Sequence, residues 1–97
     1  MPYNVFMNIE FDRTKDAANH AKHGVSLSFG AEVLADTNRL DVLDTRFDYG
    51  EDRFVSYGEV SGRVWVCVYA PRLDSLRIIS VRKANARETE RYHTAAR

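Results

Sequence analysis

Apolar and polar residues alternate along the first stretch of the chain, with Tyr3, Val5, Met7, Ile9 and Phe11 set against Asn4, Asn8 and Glu10. A period of two is that of a half-buried strand. Asp12 then offers a carboxylate to free backbone amides and predicts a helix start. Arg13 to His23 favour helix, with the small Ala17, Ala18 and Ala21 expected on the buried side and Gly24 at the stop. Ser26 predicts the cap of a second helix running to about Asp36, in which Leu27, Ala31 and Leu34 share a stripe that Val33 broadens.

After this helix pair the period is two again. Leu40 and Val42 open a strand ending near Phe47, "DYGED" is a turn, and Arg53 to Val60 is the next strand. Ser61 and Gly62 form a two-residue hairpin loop into Arg63 to Ala70, where Val64, Val66 and Val68 oppose Arg63, Trp65, Cys67 and Tyr69. Pro71 to Ser75 turns the chain, and Leu76 to Lys83 completes a four-stranded antiparallel meander. Plain alternation along that last strand puts Arg77 on one face with Ile79, Val81 and Lys83, and Arg82 on the other. Asn85 and Glu88 have the spacing of a capping box, so a final helix is expected to run to the C-terminus. Strand, two helices, four strands and helix, in that order, imply an α+β fold in a single domain over residues 1–97.

Composition agrees with a folded domain: 97 residues, 44% hydrophobic, formally neutral. The neutrality conceals a division. Residues 1–52 hold five basic and ten acidic side chains, net −5, and residues 53–97 hold nine and four, net +5. If the fold keeps the halves apart, the second presents a cationic surface to an acidic ligand or partner and the first an anionic one. The alternative is two ordinary solvated faces. Cys67 is alone within "VWVCVY" and reads as a small core residue in a reducing compartment. The opening "MPYNVFMNIEF" has neither the leader of a signal peptide nor a membrane span, so a cytoplasmic location with no membrane contact is expected.

Three stretches carry a recognisable pattern: "IEFDRTKDAANHAKHGVS", "DYGEDRF" and "RIISVRKANARETERY". They supply Glu10, Asp12, Lys15, Asn19, Lys22, His23, Gly24 and Val25, then Gly50, Glu51 and Arg53, then Arg77 to Ser80, Arg82, Lys83, Ala84, Glu88, Arg91 and Tyr92. In that order they resemble the BrnT family of bacterial toxins. Departures are confined to packing positions: Ile9 and Phe11 stand for larger aromatics, Leu27 for phenylalanine and Phe54 for tryptophan. The resemblance implies a RelE-like fold and an endoribonuclease that cuts RNA without a metal or other cofactor. It also implies neutralisation by a BrnA-type ribbon-helix-helix antitoxin, with operator DNA bound only through that antitoxin.

Cutting RNA without a metal requires a base for the 2′-hydroxyl, compensation for charge on the phosphate, and a proton for the leaving 5′-oxygen. A planar guanidinium suits the second task. Arg53 and Arg77 are the catalytic candidates for it if the sheet brings them together, with Arg82 or Lys83 at the rim. Glu51 and His23 are the candidates for proton transfer, and Lys22, Arg82, Lys83, Arg87, Arg91 and Tyr92 for RNA contact. Each has a structural alternative. Arg77 can pair with Glu51 or Glu59, Arg82 and Lys83 can guard a sheet edge, and Glu88 can pair with Arg91 along the helix. His23 can cap its helix, and Tyr92 can anchor the last helix instead of stacking a base. Asp16, His20 and His23 have helical ligand spacing but no fourth partner, so no metal site is expected. A noncatalytic nucleic-acid- or protein-binding module, or a mere dimerisation partner for a DNA-binding protein, stands as the alternative to an enzyme.

Overall fold

A computed structural model describes residues 8–97. The alternating stretch at the start contributes only β1, Ile9–Glu10, to the described sheet; Asn8 and Phe11 flank it outside the strand, and residues 3–7 of the expected strand lie outside the described residues. Asp12 caps α1, Arg13–His23, accepting the Lys15 N–H at 3.0 Å, and Gly24 ends it in the left-handed region at φ 74°. The buried residue of α1 is Asn19, whereas Ala17, Ala18 and Ala21 are exposed, contrary to expectation.

The second helix is shorter and tighter than its apolar stripe suggests. Ser26 caps a 3-10 turn at Leu27–Phe29, and α2 follows at Gly30–Leu34. The Asp16 carboxylate reaches across from α1 to accept both the Ser26 hydroxyl at 2.8 Å and the Leu27 N–H at 2.7 Å, so it is a capping group and not a ligand. Those bonds hold its pKa below the ordinary carboxylate value, the Leu27 amide having the largest effect.

Four antiparallel strands follow: β2 (Leu40–Leu43), β3 (Phe54–Val60), β4 (Arg63–Pro71) and β5 (Leu76–Lys83). With β1 parallel to β5, the five strands lie in the order β1-β5-β4-β3-β2. Ser61 and Gly62, at φ 50° and 80°, give the β3–β4 hairpin the left-handed pair that a tight two-residue loop needs. β2 stops at Leu43, short of the expected Phe47, because the Asp44 side chain gathers the next residues into a loop. Asn85 and Glu88 form the expected capping box on α3, Ala86–Thr94, which ends before the C-terminus.

The two sheet faces differ. On one, Cys67, Tyr69, Ile78 and Val81 pack against Leu27, Val33 and Leu34. Burial pushes the Cys67 thiol up to about 12, which leaves it an inert core group. On the other, Tyr57, Val64, Val66, Ala84 and Tyr92 form a second cluster where α3 covers the sheet. Beyond α3 this second face stays open as a groove of about 530 Å³, lined by Val55, Val68, Ser80, Arg82 and Glu88 among others.

Candidate active site

The open face is organised by register. Phe54 pairs with Tyr69 and Ala70 with Arg77, while Glu10 of β1 pairs with Arg77 and the Asp44 N–H donates to the Arg53 carbonyl at 2.8 Å. One rung of the sheet thus reads Asp44, Arg53, Ala70, Arg77, Glu10. Arg53 and Arg77 flank a fully buried alanine, with backbones about 10 Å apart at two strand spacings. The two arginines thus stand on either side of a small residue on one sheet face.

A bulge decides which arginines share this face. β4–β5 pairing runs Val68 with Ser80 and then Tyr69 with Ile78, so Ile79 is an extra residue in β5. Extra residues reverse the alternation. Arg77 therefore lies on the face of Ser80 and Arg82, whose partners are Val68 and Val66, whereas Val81 and Lys83 face the other way opposite Cys67 and Trp65. This corrects the expectation that Arg77 shares a face with Ile79, Val81 and Lys83.

Every arginine of this face has a carboxylate partner. Arg53 Nε is 3.3 Å from Glu51 Oε2, and the other Glu51 oxygen accepts from Arg72. Arg77 lies 3.5 Å from Glu10, not beside Glu51 or Glu59, and Arg82 makes two bonds of 2.8 Å to Glu88. Glu88 is thereby taken from Arg91. The Arg72 hydrogen bond, with help from Arg53, holds the Glu51 pKa below the ordinary glutamate value. Arg53 also stacks on Tyr49, its Cζ 4.1 Å from the ring centroid.

The expected site residues divide accordingly. Arg53 and Arg77 share a rung two strands apart, Glu51 pairs with Arg53, and Arg82 lies further along the same face. Lys22 and His23 do not join them: both line a separate depression of about 240 Å³ between α1 and β5, with Lys15 and Ser80. Lys83 is on the opposite face, and Arg87 and Arg91 are exposed on α3. Tyr92 is corrected outright as a base-stacking residue. It is 4% exposed, its hydroxyl bonds Asp36, and it anchors α3. Asp36 in turn accepts the Glu59 N–H at 2.8 Å, so the anchor spans α3, β3 and the segment after α2. Sequence reasoning missed Glu10 and Arg72 as partners in the site and Tyr49 beneath Arg53. Tyr49 stands four residues before Arg53, but that spacing means nothing until the loop folds.

The family described as "Ribonuclease toxin, BrnT, of type II toxin-antitoxin system" matches residues 11–88 of the 97. The chain belongs to the BrnT family of ribonuclease toxins. RNA as substrate and an antitoxin as partner come with that class, which leaves the noncatalytic and dimerisation readings without support. A comparison with curated proteins finds no match. The matched span includes Arg53, Arg77, Glu51 and Arg82 and stops short of Arg91 and Tyr92. Among the described residues no helix is long and apolar enough to cross a membrane.

Proposed function

We propose that this toxin is a metal-independent endoribonuclease whose scissile phosphate lies between Arg53 and Arg77. The observation that carries the reading is their shared rung on the second sheet face, with Glu51 beside Arg53. The 2′-hydroxyl gives its proton to Glu51 and its oxygen attacks phosphorus. The two guanidinium groups then offset the charge growing on the phosphoryl oxygens. The P–O5′ bond breaks, the leaving oxygen takes a proton from water on this open face, and a 2′,3′-cyclic phosphate and a 5′-hydroxyl result. Glu10, Glu51 and Glu88 are each committed to an arginine, so a divalent ion would have to displace a guanidinium to bind there. His23 and Tyr92 take no part in the chemistry, and Lys83 faces away. The toxin acts in the cytoplasm, and a BrnA-type ribbon-helix-helix antitoxin neutralises it and carries the pair to operator DNA.

The test is cleavage of purified RNA in excess chelator with end-group analysis. Arg53→Ala and Arg77→Ala should each lower kcat by about 10²- to 10³-fold, the loss typical of one transition-state donor. Fragments bearing 5′-phosphate that vanish on chelation would refute the 2′-hydroxyl mechanism.

A further inference from the structure

The loop joining β2 to β3 is held by its own side chains before any partner arrives. Asp44 binds Arg46 through two hydrogen bonds of 3.0 Å and accepts the Tyr49 hydroxyl at 3.0 Å, while Asp48 accepts the Gly50 N–H at 3.0 Å. The result is a concavity of about 420 Å³ whose lining includes Phe47, Tyr49, Asp48 and Asp52. Phe47 is 66% exposed and stands edge-on to Tyr49, with ring centroids 5.8 Å apart and planes at 70°. Tyr49 in turn carries the Arg53 guanidinium. A continuous series therefore leads from an exposed phenyl ring, through a tyrosine, to one of the two arginines of the rung.

We infer that Phe47 is a stacking platform for a nucleobase adjacent to the phosphate held by Arg53 and Arg77, and that the loop concavity receives a base and not a phosphate. The inference rests on the proposed phosphate site. Single-stranded RNA is read through unstacked bases laid on aromatic rings, and every base offers a π-face to such a ring. Exposed Asp48 and Asp52 would repel phosphate, yet a carboxylate accepts hydrogen bonds from the amino groups of bases. The alternative occupant, an apolar anchor of the antitoxin, would use Phe47 but has no need of its stacked connection to Arg53.

Binding of a short, mixed-sequence, 2′-O-methylated oligonucleotide, which 2′-hydroxyl attack cannot cut, tests this across a range of salt. Phe47→Ala should weaken binding by about 5- to 150-fold with the salt slope unchanged, because stacking releases no counterions. Phe47→Trp should bind as tightly as the parent. Arg77→Ala should weaken binding and reduce the slope by about 0.7, one single-strand phosphate contact. Parental affinity in Phe47→Ala beside an impaired Arg77→Ala overturns the stacking platform and leaves the phosphate site standing. So does a Phe47→Ala variant that loses affinity for the antitoxin alone. Parental affinity and slope in Arg77→Ala would sink the phosphate site itself, and the adjacent base position with it.

Discussion

Replacing Asn19 with alanine removes three hydrogen bonds at once. Its Nδ2 donates to the carbonyls of Val25 and Val81, each at 2.9 Å, and its Oδ1 accepts the Val81 N–H at 3.2 Å. β1 covers only Leu76 and Arg77 of β5, so the amide of Asn19 does for Val81 what a longer neighbouring strand would do. It closes an open sheet edge and fastens α1 to it. Val81 is fully buried, and water cannot replace what is lost there. Two orphaned backbone groups at about 1–3 kcal/mol each, and a half-buried Val25 carbonyl that can rehydrate, give an expected loss of about 3 kcal/mol. That is a large share of the 5–15 kcal/mol typical of a domain, and at about 4–8 °C per kcal/mol it lowers Tm by about 12–24 °C. Urea unfolding followed by far-UV circular dichroism measures it. Asn19→Asp should be at least as damaging, since a carboxylate would face two carbonyls. A loss under about 1 kcal/mol for Asn19→Ala would refute the strand-substitute account.

Three further outcomes follow from the geometry. If Glu51 is the base, kcat/KM falls only as pH drops through its lowered pKa, below the ordinary glutamate value of about 4.3, and His23→Gln cleaves at the parental rate; an acid limb near pH 6.5 would point to an imidazole instead. Gly58→Ala should destabilise by about 1–3 kcal/mol in the same urea assay, because a Cβ there collides with the Val33 carbonyl and lies 3.0 Å from Val33 Cγ1; parental stability would mean that α2 can move away. Glu10→Gln frees Arg77 from a half-exposed pair and should tighten binding of uncleavable RNA by up to about fivefold, with weaker binding counting against Arg77 as a phosphate ligand.

The helix caps at Asp12, Gly24, Ser26 and Asn85 and the Ser61-Gly62 hairpin were legible because each is a local device whose signal lies within a few residues. What was not legible depended on contacts distant in sequence. Alanines on α1 look like a buried face, but the neighbour across from α1 is a strand edge with unpaired backbone, which calls for an amide and not a methyl. The face of Arg77 could not be read from parity, because the bulge at Ile79 arises from pairing with β4 and leaves no mark in β5 itself. The grouping of Arg53, Arg77 and Glu51 was reachable through the family pattern. Glu10 and Arg72 needed the register.

The same register changes the meaning of the charge division along the chain. Three of the six ion pairs among the described residues, Glu10–Arg77, Glu51–Arg53 and Glu51–Arg72, join the acidic first half to the basic second half. The halves are thus interleaved at the rung, and no cationic field pools there in the free toxin. These side chains are about a quarter to a half exposed, where such pairs add little stability, so their main physical effect is to fix guanidinium orientation. Cations without an ion pair among the described residues include Lys83, Arg87 and Arg91 at the opposite, α3 end of the sheet. Attraction of RNA from a distance depends on net local charge, which is greatest where cations are unpaired. Holding a phosphate for reaction depends on fixed donors, the part proposed above for the rung. Under the proposed function the two tasks fall to the two ends of one sheet: Arg87 and Arg91 of α3 draw the strand in, and the rung at Ala70 exchanges its carboxylate partners for phosphate.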